Sequence, residues 1–169
     1  RMLSALAAML LSLPALAQVT DGMTIDSWLV LGPAELLADG AALPNGPEGA
    51  IDYDFLPALE LKPVAGSRVR WDAGPALAWR EAAPAFPASA RRRVAYLAAY
   101  VEGRRWLQAD LAVDSPFPVR AWLDGSPLSG SADKRSFPLS LDNGKHLLLL
   151  QASLPPGKAL ALRASLKRR

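Results

Sequence analysis

Between Arg105 and Val113 apolar and polar residues alternate without a break. Leu107, Ala109, Leu111 and Val113 fall on one parity, and Trp106, Gln108 and Asp110 on the other. A period of two is that of a strand with one buried face. The alternation returns over residues 118–124, with Val119, Ala121 and Leu123 opposite Arg120 and Trp122, and Asp124-Gly125 follows as a hairpin turn. Residues 94–101 are rich in β-branched and aromatic side chains and end at a Glu102-Gly103 turn. Residues 137–141 make a short strand, whose Pro138, lacking an N–H, belongs at a sheet edge. Asp142-Asn143-Gly144-Lys145 reads as a second hairpin turn. Residues 146–154 are apolar on both parities at first, as a central strand would be. Pro155-Pro156-Gly157 turns the chain, and residues 159–166 close it.

The pattern is less regular before residue 90. Residues 24–31 predict a strand in which Ile25, Leu29 and Leu31 share a core face, stopped by Gly32-Pro33. Residues 34–43 fit a short helix or a loop, residues 54–61 one or two helical turns, and residues 44–49 have the composition of turns. Residues 69–72 and 77–81 read as short strands around a Gly74-Pro75 turn, and residues 82–89 as a proline-rich connector. About eight to ten strands at this spacing, with no long helical pattern, predict an all-β fold, an antiparallel β-sandwich.

Upstream of these strands lies a segment of another kind. Arg1 supplies a positive charge, residues 2–13 are uncharged and mostly apolar, Pro14 breaks the run, and Ala15-Leu16-Ala17 presents small residues at the positions a signal peptidase reads. Residues 1–17 are therefore expected to be a cleavable signal helix, too short to span a bilayer at the ~20 residues required. The mature domain then covers residues 18–169, with an irregular part over 18–90 and regular antiparallel strands over 91–169. The expected location is the periplasm or the exterior. No later apolar run is long enough to cross a membrane as a helix.

The chain has no cysteine, which excludes disulfides, thiol catalysis and thiolate metal sites. The 169 residues carry a net charge of +3. Loss of Arg1 leaves 18 basic against 16 acidic residues, or +2. The two basic runs, Arg91-Arg92-Arg93 and Lys167-Arg168-Arg169, read as a solvated loop and a chain end. Neither is a stripe with interleaved aromatics, so nucleic acid is not the expected partner.

Two segments carry a family resemblance. The strand Val119-Arg120-Ala121-Trp122-Leu123-Asp124-Gly125 and the segment from Asp142-Asn143-Gly144-Lys145-His146 through Leu150 resemble those of the galactose-binding-like jelly-roll family of exported bacterial proteins. The opening from Asp26 through Trp28-Leu29-Val30-Leu31-Gly32-Pro33 resembles the start of such domains in large secreted hydrolases. The resemblance implies a jelly roll that serves as a carbohydrate-binding or docking module, often without chemistry of its own. It identifies strands and turns and carries over no sugar-contacting residue.

Candidate chemistry is sparse. His146 is the only histidine, and its place at the start of an apolar strand favours a structural role over that of a catalytic base. Asp52 and Asp54 are candidate carboxylate ligands for calcium, but no compact acidic loop completes the six to eight oxygens it usually takes. The tryptophans offer more. Trp106 and Trp122, with Arg120, Gln108 and Asp110, fall on the parity opposite the aliphatic sets and are the expected ligand-binding patch, a ring platform with polar neighbours suited to a sugar. The alternative is that these rings pack beneath the N-terminal region. Trp28, Trp71 and Trp79 are expected in the core. The expected function is a non-catalytic exported module that binds carbohydrate or docks to a neighbouring domain, without a cofactor. Its alternatives are the first domain of a longer secreted hydrolase with catalysis beyond residue 169, and a structural cell-envelope protein.

Overall fold

The structure is a computed structural model that describes residues 17–18, 22–35, 62–69 and 76–169. Among the described residues every regular element is a strand. In chain order they are β1 (Ala17–Gln18), β2 (Met23–Thr24), β3 (Leu29–Glu35), β4 (Arg68–Val69), β5 (Leu77–Ala78), β6 (Arg80–Glu81), β7 (Ala85–Phe86) and β8 (Arg93–Gly103). They continue with β9 (Leu107–Asp114), β10 (Val119–Leu123), β11 (Ser126–Pro127), β12 (Ser136–Leu141), β13 (Gly144–Leu154), β14 (Leu160–Ala161) and β15 (Arg163–Arg168). No helix of the described residues is long and apolar enough to cross a membrane.

Two sheets dominate. The large one runs β11-β10-β13-β8-β3-β6, antiparallel throughout, with β1 added in parallel against the end of β8. The small one runs β12-β9-β15-β2. Their inward parities share one core, as in a β-sandwich. Ala95, Leu97, Val119, Ala121, Leu148 and Leu150 come from the large sheet and Ala109, Leu111, Phe137, Leu141 and Leu166 from the small one. With no disulfide, burial must hold this core, and each fully buried leucine contributes about 1.5–3 kcal/mol. The inward set read from alternation in β9 and β10 is the set found here.

Several local expectations are corrected. Gly32-Pro33 does not end its strand: β3 continues to Glu35 across a bulge between Leu31 and Ala34. Ile25 does not share a face with Leu29 and Leu31. The chain leaves the small sheet after β2 and joins the large one at β3, so Ile25 faces the shared core while Leu29 and Leu31 face outward from the large sheet. Trp28 marks the crossing, buried, its indole N–H donating to the Ile25 carbonyl at 3.0 Å.

The connector at 82–89 contains β7, which pairs with β14. Arg93, read as part of a solvated run, is buried and donates to the Pro87 carbonyl. Glu102-Gly103 lies within β8, which pairs with β13 as far as Gly103–Gly144. The segment 142–145 is no hairpin turn, because β12 belongs to the small sheet and β13 to the large one; it carries the chain between layers. Gly103 permits that crossing, since a Cβ there would stand 2.2 Å from the Asp142 carbonyl oxygen. The 124–125 turn and the edge position of β12 are as expected. β4 and β5 form a short antiparallel pair; the predicted Gly74-Pro75 turn and the candidate helical turns over 54–61 lie outside the described residues, as do the expected signal helix over 1–17 except Ala17, which is in β1, and the short helix or loop over 34–43 except Ala34 and Glu35, which are in β3.

Candidate functional site

The five residues expected to form one patch lie on two outward faces. Gln108 and Asp110 are on β9, in the small sheet, and Trp106 directly precedes that strand in the same parity. Arg120 and Trp122 are on β10, in the large sheet. Alternation separates inward from outward within a strand. The link 115–118 moves the chain from one sheet to the other, and the outward sides of two packed sheets point in opposite directions.

Trp122 is 1% exposed. It sits in a second apolar cluster on the outer side of the large sheet, with Leu29, Leu31, Tyr96, Leu149 and the covering residues Val69 and Trp79. Its ring lies 6.4 Å from that of Tyr96, tilted by 37°. Arg120 lays its guanidinium 4.7 Å from the Trp122 ring centroid and donates from Nη1 to Gln151 Oε1 at 3.4 Å. Trp122 thus packs beneath the N-terminal part of the chain, the alternative considered for both rings. Trp28 and Trp79 are buried as expected, and Trp71 lies outside the described residues.

Trp106 is 62% exposed. Beside it the outward face of the small sheet is mostly polar. Gln108 faces Ser140 in register, Asp110 faces Pro138 on one side and Lys167 on the other, and Ala112 lies between Ser136 and Ser165. The backbone N–H of Arg169 donates to the Gln108 carbonyl at 3.0 Å, and its Nε donates to Asp110 Oδ1 at 2.8 Å. That pairing raises the Arg169 pKa. Reading Lys167-Arg168-Arg169 only as a chain end missed the parity of β15, which sets Ser165, Lys167 and Arg169 beside Asp110 and Gln108.

His146 is a tie between turns. Its Nδ1 meets Asp124 Oδ2 at 2.7 Å, and its Nε2 meets the Asp142 carbonyl oxygen at 3.1 Å. A carbonyl and a carboxylate only accept, so this geometry favours the protonated ring, which has a donor on both nitrogens. Burial opposes the charge, but the hydrogen bonds from the Asp124 carboxylate and the Asp142 carbonyl outweigh it and raise the pKa. Asp124 also accepts from the Leu147 N–H through Oδ1, at 2.8 Å. In this geometry both ring nitrogens of His146 are taken up by contacts within the protein.

Asp52 and Asp54 lie outside the described residues. Among the described residues no group of three or more acidic or histidine side chains is placed to hold a metal ion. Two surface grooves, about 380 and 480 Å³, lie elsewhere. One is beside Val119, Lys134 and Phe137 and is lined by Arg120 of the expected patch; the other is beside Ile25, Trp28 and Arg163, and Trp106 lines neither. No protein-family model, curated protein or solved structure matches the chain.

Proposed function

We propose that this chain is an exported, non-catalytic β-sandwich module of jelly-roll type that binds carbohydrate on the outward face of its small sheet, with Trp106 as the stacking platform. The observation that carries the reading is the indole of Trp106, 62% exposed, at the end of a mostly polar face. An exposed indole offers a flat apolar surface to the C–H side of a sugar ring, and neighbouring polar groups meet its hydroxyls. Gln108 and Ser140, adjacent in register, are placed for that second role. Trp122 and Arg120, part of the covered face, are not included in the site.

The test is Trp106→Ala, followed by thermal melting and by binding to a panel of immobilised glycans. Melting is expected to stay near wild type, and affinity for the bound glycan to fall by about 2 kcal/mol, as for an aromatic hot spot. Retention on a neighbouring domain of the same polypeptide, lost in Trp106→Ala, with no glycan bound by the wild type, would replace carbohydrate binding with docking. N-terminal sequencing of protein expressed in a bacterial host tests export, with Gln18 as the expected first residue.

A further inference from the structure

The corner that carries Trp106 is basic. Arg105 directly precedes the indole, and Lys167 lies opposite Asp110 on β15 with the same outward parity; both are exposed. Of the nearby acids, Asp110 is engaged by Arg169, and Glu102 stands opposite Lys145 in register. Among the described residues, Asp142, which follows the Leu141 partner of Leu107, is the remaining carboxylate of this end. The balance favours an anionic ligand.

Scale and shape narrow the class. Trp106 and Asp110 are four residues apart, about 13 Å along an extended chain. The surface from the indole to Lys167 therefore suits several linked sugar units better than one. Gln108 between them, with Ser140 beside it in register, lets such a chain lie flat. Single-stranded nucleic acid needs successive stacking platforms, and among the described residues Trp106 is the exposed aromatic; the other large exposed hydrophobic is Val64.

Resting on the carbohydrate reading above, we propose that the ligand is an acidic polysaccharide, with one sugar ring on Trp106 and uronic carboxylates met by Arg105 and Lys167. A guanidinium suits a carboxylate through paired N–H donors, and an ammonium acts as a point charge.

The experiment compares polygalacturonate with its fully methyl-esterified form, which keeps the backbone and removes the charge, and adds a neutral β-glucan and a single-stranded oligonucleotide. The protein is the full chain, as wild type, Trp106→Ala and the double variant Arg105→Gln/Lys167→Gln. The expected result is binding of polygalacturonate at least tenfold tighter than of the ester, weakening as salt rises. Trp106→Ala should lose at least tenfold on polygalacturonate, and the double variant should lose a similar factor there without change on the ester. Equal binding of acid, ester and β-glucan, unaffected by the double variant, would overturn the acidic-ligand inference and leave the carbohydrate reading standing. Failure of every glycan to bind would overturn both. Equal binding of polygalacturonate and oligonucleotide, insensitive to Trp106→Ala, would reduce the corner to unspecific attraction and overturn the inference.

Discussion

The two outward faces of the sandwich have had different fates. On the large sheet the outward side chains are mostly apolar, Leu29, Leu31, Tyr96, Ala98, Trp122, Leu147 and Leu149 beside the polar Arg120 and Gln151, and the apolar ones are buried under a second apolar layer that includes Val69 and Trp79. On the small sheet they are mostly polar, Gln108, Asp110, Ser136, Ser140, Ser165 and Lys167 beside Ala112 and Pro138, and the face is partly to fully exposed. The difference lies in composition. An apolar outward parity gains about 25 cal/mol for each Å² withdrawn from water, and so draws a cover from elsewhere in the chain. A parity of serine, glutamine and lysine gains little by being covered. A tryptophan on the first face is therefore core, and one at the end of the second is left available.

The sharpest way to break this comparison is to truncate both rings. Trp122→Ala should cost about 3–5 kcal/mol of unfolding free energy, as expected for a large buried ring. Trp106→Ala should stay within about 0.5 kcal/mol, as for a surface position. Equal losses in urea denaturation would mean that the two faces are not different in kind. A smaller effect probes the cover itself. Val69→Ala removes two methyl groups from the strand that helps to roof the large sheet, and should cost about 1.5 kcal/mol at ~0.8 per carbon. An unchanged midpoint would show that the β4–β5 pair does not act as a roof.

The next test sharpens the comparison at the end where the layers meet. His146 ties the β10–β11 turn of the large sheet to the crossover arriving from the small one. Its pKa in the folded protein is raised above the ordinary 6.5. The native state therefore holds this proton more tightly than the unfolded chain does. The resulting stability is fully present below the unfolded pKa and is lost as pH rises through the folded one. Wild type should thus lose more stability than His146→Gln between about pH 5.5 and pH 9, measured as the difference of their denaturation midpoints. Parallel curves would refute the tie. The smallest effect belongs to the open face. Asp110→Asn removes the charge that meets Arg169, and, because exposed ion pairs are screened by solvent, no change in melting is expected. A marked loss would indicate that the open face carries stability after all.

Much of the architecture was legible in the chain. The strict alternation in β9 and β10 identified their inward residues, Pro138 marked an edge, and the apolar run from Leu147 marked a strand between two neighbours. The candidate patch was only half legible. The parity that grouped Trp106 with Gln108 and Asp110 holds within β9, whereas grouping it with Trp122 required β9 and β10 to share a sheet. Lys167 and Arg169 went unnoticed because their relation to Asp110 is a matter of pairing between strands more than 50 positions apart.

What the sequence determined by itself is therefore local: which residues are strands, which parity turns inward, and that a core without cysteines must rest on burial. Tertiary structure decided which sheet each strand joins. The turn chemistry of Asp142-Asn143-Gly144-Lys145 serves a crossing between layers here and not a hairpin, and the link after β9 leads to a strand of the other sheet. It also decided which outward face would be covered, because a roof depends on segments remote in sequence reaching it. Alternation is a property of one strand's backbone, whereas exposure is a property of everything packed around it.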